Sequence, residues 1–326
     1  EVGRRREALA AAEEAVALYR QLVAADPGAR TPELAGALQS LGSRLSHAGR
    51  YREAPAAAKE AVVLFRQLVA ADPDAHTPGL ARALQNLGIR LGEVGRRREA
   101  LAAAEEAVAL FRELMAADPD AHTPDLAAAV QTLGVELGEV ARYREALAAI
   151  KEAVALLRQL VTADPDAHTR NLAGTLQSLG VRLGEVAQHR EALAAAEEAV
   201  ALFRELVAAD PDAHTPDLAG TLQALGIQLD EAGQRREALA AAKEAVALYR
   251  QLVAADPDAH TPEYARALDS LGTRLENMGQ RREALVVMEE AVALFASLHS
   301  DLPKAYVDEL SAARRQRDRL RTSSAK

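Results

Sequence analysis

The chain has 326 residues, of which 49% are hydrophobic and 3% are aromatic, and it contains no cysteine. The lack of cysteine excludes disulfides, thiol catalysis and thiolate metal sites. A net charge of −9 argues against general nucleic-acid binding, which depends on neutralising phosphates, and no apolar run reaches the ~18 residues of a membrane span. We therefore expect neither a nucleic-acid partner nor a membrane partner.

A repeat of 46 residues runs through the sequence without insertion or deletion. Its clearest marker is the segment DPDAHTP, with arginine in place of the last proline in one copy, and its histidine recurs at His76, His122, His168, His214 and His260. Seven copies begin near residues 3, 49, 95, 141, 187, 233 and 279. A strict repeat of this kind predicts a solenoid, in which each unit contacts its neighbours.

Each unit predicts a pair of helices, which we call helix A and helix B. In one unit, Thr77 as N-cap and Pro78 at the first helical position predict that helix A follows, with Gly95 ending it in a left-handed conformation. Helix B is predicted at 97–117, where Asp118 and a proline end it. Its apolar stripe predicts a packed core at one large side chain per unit, namely Tyr19, Phe65, Phe111, Leu157, Phe203, Tyr249 and Phe295.

The segment DPDAHTP is then the link from helix B to the next helix A, and its histidine is predicted to be structural. Equivalent histidines in successive units lie roughly 10 Å apart, one helix diameter, so they cannot share an ion held at ~2 Å. A metal held within one link by Asp118, Asp120 and His122 is the alternative. In the first copy Arg30 replaces the histidine, which a structural role tolerates better.

One position of helix B alternates in charge from unit to unit, as Glu13, Lys59, Glu105, Lys151, Glu197, Lys243 and Glu289. Duplication of a two-repeat block explains the alternation. Pairing of these glutamates and lysines between adjacent B helices is a minor additional benefit, because exposed pairs contribute ~0–1 kcal/mol.

A set of small and apolar residues in both helices resembles the tetratricopeptide repeat (TPR). The set comprises Leu84, Leu87, Gly88 and Leu91 in helix A, Ala100, Ala104 and Ala107 in helix B, and the closing Pro119. The resemblance implies an all-α fold, a right-handed superhelical solenoid of antiparallel helix pairs over residues 1–300. The long unit with its His-Pro link is most similar to the kinesin-light-chain type of repeat, which is also common in actinobacterial regulators. The preference for arginine over lysine agrees with an actinobacterial source.

The two ends of the chain differ from the repeats. Residues 303–321 align with helix A but carry Arg314, Arg317 and Asp318 at core positions, which predicts a polar capping helix followed by a disordered tail at 322–326. At the other end, Glu1 and Val2 align with the last residues of a helix A that is missing. We expect the natural chain to continue upstream. If nothing covers the exposed face of the first repeat, that face is expected to drive self-association.

The resemblance implies that the A helices line a concave surface that binds an extended peptide or a partner protein. The predicted peptide-binding positions are Gln85, Ile89, Gln131, Val135, Gln177, Val181, Gln223 and Ile227. Glutamine is equally compatible with an exposed helix face that binds nothing. No phosphate loop, nucleophile elbow or ligand-spaced histidine pair occurs. We therefore predict a cytoplasmic, non-enzymatic scaffold without catalytic residues, cofactor or metal. The alternatives are a regulatory arm of a larger protein with an upstream ATPase or protease, and a self-assembling solenoid.

Overall fold

The computed structural model describes the backbone of residues 2–301 and 303–324, and the side chains of residues 7–26, 30–300 and 306–322. This described part of the chain is helical throughout and contains no β-strand, which confirms the predicted all-α class. Its helices are α1 (Val2–Ala25), α2 (Pro27–His47), α3 (Ala54–Ala71), α4 (Pro73–Glu93), α5 (Arg97–Ala117), α6 (Pro119–Glu139), α7 (Tyr143–Ala163), α8 (Pro165–Glu185), α9 (His189–Ala209), α10 (Pro211–Glu231), α11 (Arg235–Ala255), α12 (Pro257–Asn277), α13 (Arg281–Asp301) and α14 (Pro303–Ser324).

The helices are grouped in two compact units, residues 1–178 and 179–326. In the first unit each helix from α1 to α6 packs against the next one, and in the second unit each helix from α9 to α13 does the same. In the first unit α4 also contacts both α2 and α6 directly. Each unit is therefore a stack of helix hairpins, as predicted from the repeat.

Six of the seven large side chains predicted for the core are buried, and the seventh, Tyr19, is half-buried. Phe111 of α5 is fully buried, and Phe203 and Phe295 are 3% and 1% exposed. Glycine at a fixed position of the even-numbered helices lets the backbones approach closely: a Cβ on Gly88 would lie 3.3 Å from the carbonyl oxygen of Ala100. The predicted packing role of the large side chain is confirmed at its six buried positions.

The prediction that DPDAHTP is a link between two helices is wrong, because all of the segment after its first residue is helical. α3 ends at Ala71 and α4 begins at Pro73, so Asp72 alone separates them. Asp72 has the extended conformation that a following proline favours, and its Oδ1 accepts a hydrogen bond from the backbone N–H of Ala75 at 3.1 Å. Thr77 is inside the helix, where its hydroxyl donates to the Pro73 carbonyl at 2.7 Å instead of capping.

Helix A ends in the predicted way. Gly95 follows α4 with a φ of 73°, and the N–H of Arg96 donates to the Leu91 carbonyl at 2.9 Å. This is the hydrogen bond that closes a helix through a left-handed residue. Two repeats keep the same conformation without glycine, since Ala141 and Ala187 have φ values of 61° and 59°.

The capping helix α14 extends beyond the predicted end at 321. It is helical to Ser324, which includes the first three residues of the predicted tail at 322–326, while 325–326 lie outside the described residues. Tyr306, Leu310 and Ala313 of α14 are buried in one cluster with α12 and α13. Across the described residues, no helix combines the length and hydropathy that crossing a bilayer would require.

Candidate binding surface

The eight predicted binding positions all lie on even-numbered helices, α4, α6, α8 and α10. The four glutamines and Ile89 are half-buried. The other three aliphatic side chains are exposed, with exposed fractions of 37% for Val135, 39% for Val181 and 53% for Ile227. The aliphatic row is therefore the more accessible part of the predicted surface.

The glutamines are partly used in bonds between helices. Gln85 Nε2 donates to Thr132 Oγ1 of α6 at 3.3 Å. Gln223 Oε1 accepts a hydrogen bond from the Tyr249 hydroxyl of α11 at 3.4 Å. These two side-chain amides connect neighbouring helices. They are therefore less available to the backbone of a bound peptide than amides without a partner would be.

In the second unit the aliphatic row borders a pocket. The pocket has a volume of about 300 Å³ and is lined by Val181, Gly184, Glu185, Ala224, Ile227, Gln228 and Glu231. Its aliphatic side chains come from α8 and α10, one repeat apart, and its polar side chains come from the last turns of the same helices. The pocket therefore combines an apolar shelf with an acidic rim.

A row of largely buried polar side chains on the even-numbered helices was not predicted. Each even-numbered helix from α4 to α12 contributes one of them, namely Arg90, Glu136, Arg182, Gln228 and Arg274. Arg182 is half-buried and the other four are at least nine-tenths buried. Their spacing equals the repeat, which is the signal that could have revealed them, but polar identity alone argued for exposure.

The arginines of this row have carboxylate partners. Arg90 donates to Glu93 at 2.8 Å, and Arg182 donates to Glu185 at 2.8 Å. Arg274 is 6% exposed and its Nε lies 2.9 Å from Asp230 Oδ2. Each of these arginines is thus neutralised by a carboxylate, either of its own helix or of the preceding A helix, as burial of a charge requires.

Glu136 is the exception, because it is an acid at a position that holds arginine in four other repeats. It is 4% exposed, and its Oε2 has no hydrogen-bond partner among the described residues. The pKa of Glu136 is raised to about 7, mainly by burial and to a smaller extent by the nearby Glu139, while Arg97 opposes the rise. The carboxyl group of Glu136 fits because it lies against Gly92 of the preceding A helix, which has no side chain. A Cβ on Gly92 would lie 2.6 Å from Glu136 Oε1.

The first unit has a pocket of different character. It has a volume of about 540 Å³ and is lined by Ala8, Arg44, Ser46, His47, Tyr51, Arg90 and Glu93. Ser46 Oγ donates to Glu93 Oε2 at 2.6 Å, so the acid of this pocket already has two partners, Ser46 and Arg90. Apart from Ala8, the remaining side chains of the lining are basic or aromatic.

The repeated histidines lie in the first two turns of the even-numbered helices and not in loops. His122 and His214 are half-buried, and their Nδ1 atoms have no hydrogen-bond partner among the described residues. Within the described residues, no three histidine or carboxylate side chains are placed to hold one metal ion. Asp118, one of the alternative ligands, uses its Oδ1 to accept from the Ala121 N–H at 3.2 Å.

Known proteins with similar structures share the fold of this chain at low sequence identity. A tetratricopeptide-repeat family profile matches residues 80–120 and 265–301. BtubC (BKLC) from P. vanneervenii has a TM-score of 0.60 at 21% identity, covering 76% of this chain and 92% of its own. A putative kinesin light chain of Podosopora anserina with nearly identical TPR-like repeats gives 0.52 at 20% identity, covering 67% and 95%. The apo form of RapI gives 0.54 at 12% identity, covering 85% and 96%.

The fold is TPR-like. The even-numbered helices from α2 to α12 are the A helices of these TPR-like repeats, and the odd-numbered helices are the B helices. The predicted similarity to kinesin-light-chain repeats is confirmed by the P. anserina structure. A comparison with curated protein sequences gave no match.

Proposed function

We propose that this chain is a non-enzymatic scaffold that binds an extended peptide or a segment of a partner protein along its A helices. The observation that carries the proposal is the exposed aliphatic pair Val181 and Ile227, 39% and 53% exposed, on either side of a pocket of about 300 Å³. Exposed aliphatic side chains beside a concave site are typical of surfaces that receive a partner. An actinobacterial source and a cytoplasmic location remain predictions.

A second feature of the first unit supports the same surface. There α4 contacts α2 and α6 directly, so successive A helices are in contact with each other. Contact between successive A helices is expected on the inner side of a curved stack, where TPR-like repeats present their binding surface. The positions Gln85, Ile89, Gln131, Val135 and Gln177 belong to this proposed surface in the first unit, and Gln223 belongs to it in the second.

A display library of random short peptides tests the proposal. Peptides selected on the unmodified chain should bind at least about tenfold more weakly, a loss of ~1.4 kcal/mol, to a variant with Val181→Arg and Ile227→Arg. The control variant carries Val286→Arg and Ala240→Arg, two exposed positions on B helices of the same unit. Circular dichroism verifies that both variants are folded. Equal binding to the unmodified chain and to the A-helix variant would refute the proposed surface.

Self-assembly is a second candidate, favoured by one observation. Leu18 and Leu22 of α1 are 52% and 49% exposed, whereas the equivalent Leu64 and Leu68 of α3 are half-buried. Light scattering over a range of concentrations tests this candidate. Oligomers that dissociate on Leu18→Gln with Leu22→Gln would support it, and a monodisperse monomer at high concentration would exclude it.

A further inference from the structure

The pocket of the second unit contains a buried acceptor that no part of the described chain uses. Gln228 is 6% exposed, and its Oε1 has no hydrogen-bond partner among the described residues. A Cβ on Gly184 would lie 3.5 Å from both Oε1 and Nε2 of Gln228 and 3.4 Å from Glu231 Oε2. The side-chain amide of Gln228 and a carboxylate oxygen of Glu231 therefore both lie close to the glycine that lines the pocket. A buried polar atom without a partner costs free energy, so the arrangement calls for a donor.

The neighbouring repeats show which kind of donor this position takes. The residues equivalent to Gln228 in the A helices before and after it are Arg182 and Arg274. Arg182 donates to Glu185 at 2.8 Å, and Arg274 lies 2.9 Å from Asp230. Arg182 thus neutralises a carboxylate of its own A helix, and Arg274 neutralises one near the end of α10, the helix that carries Gln228.

The repeat with Gln228 has no arginine of its own at this position, and Arg274 of the next repeat pairs with Asp230 and not with Glu231. Glu231 contacts His189 Nδ1 at 3.1 Å and has no arginine or lysine partner among the described residues. Glu185, on the other side of the pocket, is already paired with Arg182. The rim therefore carries a carboxylate in excess of its cations. The shelf next to it, formed by Val181, Ala224 and Ile227, is apolar.

We propose that a lysine or arginine side chain of the bound segment occupies this pocket, and that the partner is a basic segment with an aliphatic residue beside the cation. The methylene groups would lie on the aliphatic shelf, as the stems of long basic side chains do on apolar surfaces. The charged end would donate to Glu231 Oε2 and to Gln228 Oε1, the geometry of a charge-assisted hydrogen bond. This inference rests on the proposed function, since it assigns a partner chemistry to part of the same surface.

Four pools of short, unstructured peptides test the inference. The pools share one random composition and differ in a fixed central dipeptide, which is Leu-Lys, Leu-Arg, Leu-Gln or Leu-Glu. Binding is measured by fluorescence anisotropy to the unmodified chain, to Glu231→Gln and to Gln228→Arg, which supplies the internal cation of the neighbouring repeats. Glu244→Gln, on α11, is the control for net charge.

The lysine and arginine pools should bind the unmodified chain at least about tenfold more tightly than the glutamine and glutamate pools. Glu231→Gln and Gln228→Arg should each abolish this preference, while Glu244→Gln should retain it. Equal binding of all pools that still depends on Val181 and Ile227 would overturn the basic pocket and leave the scaffold intact. A preference for basic pools that survives Gln228→Arg would also overturn it. No binding of any pool would overturn both proposals.

Discussion

Ala141 and Ala187 have left-handed backbone conformations that other repeats assign to glycine. Their φ values are 61° and 59°, against 73° at the equivalent Gly95. For a residue with a Cβ this conformation costs roughly 1 kcal/mol. Ala141→Gly should therefore raise the free energy of unfolding by ~0.5–1 kcal/mol, as measured by urea denaturation.

The repeat supplies the matched control for this prediction. Gly95→Ala introduces the same strain at an equivalent position and should lower the free energy of unfolding by a similar amount. Ala187→Gly in the second unit should behave like Ala141→Gly. If both changes at 95 and 141 left stability unaltered, the closing hydrogen bonds of helix A would not depend on the residue at this position.

Glu136 should make the stability of the chain depend on pH. Its pKa of about 7 lies above the value of 4.5 for an exposed glutamate, because burial disfavours the charged form. The folded chain thus binds the proton more tightly than the unfolded chain. The resulting stabilisation is complete below pH about 4.5, declines as the pH rises towards about 7, and is absent above it.

Glu136→Gln removes this titration and should stabilise the chain at alkaline pH. The expected gain is on the order of 2–3 kcal/mol at pH about 8 and should shrink towards zero at pH about 4. Urea denaturation across this range measures it, with Glu113→Gln as a control that removes an exposed carboxyl from α5. A gain of the same size at both pH values would show that burial does not perturb this carboxyl. The second unit already carries glutamine at the equivalent position, Gln228.

At the scale of the helices, the sequence patterns predicted helix B correctly but gave the wrong start for helix A. Helix B at 97–117 is α5 without change, because charged residues, an apolar stripe and a closing Asp-Pro all agree. The start of helix A was wrong, since Thr77-Pro78 resembles an N-cap as closely as Asp72-Pro73 does. Asp72 captures the Ala75 N–H and so starts the helix at the first of the two prolines.

For the candidate surface, the exposure of the aliphatic positions was predictable from the sequence but the contacts were not. The resemblance to the tetratricopeptide repeat implied that Val181 and Ile227 share one face of consecutive A helices, and both side chains are exposed. It could not show that Gln85 bonds to Thr132, because that partner is 47 residues away in the sequence. It also missed Gln228 and Glu136, because burial of polar side chains depends on the glycines of the preceding A helix.

At the scale of the whole molecule, ion pairs between B helices accompany the apolar stacking in both units. Arg66 pairs with Glu106 and Arg204 with Glu244, both at 2.8 Å and both partly exposed. The predicted pairing of the alternating glutamates and lysines with each other was wrong. Lys59 pairs with Glu99 instead, at 3.3 Å. Because exposed pairs contribute little each, the regular apolar core dominates the stability of the stacks.

The capping helix α14 makes the last prediction possible. Arg314 and Asp318 are exposed where α12 has the buried Leu268 and Gly272. Arg314→Leu with Asp318→Gly restores the pattern of an internal A helix, and no B helix follows α14 within the described residues. We expect this variant to associate more strongly than the unmodified chain, in a concentration-dependent way that sedimentation velocity measures.

The control for this prediction removes the same two kinds of charge elsewhere on α14. Asp308→Leu with Arg315→Leu alters two exposed positions and adds more apolar surface than the first variant. If general hydrophobicity drove association, the control would associate more strongly than Arg314→Leu with Asp318→Gly. We expect the reverse, because the glycine and the leucine recreate the close approach seen at Gly88, where a Cβ would lie 3.3 Å from the Ala100 carbonyl oxygen. On this prediction, the polar face of α14 prevents one molecule from stacking on another through this helix.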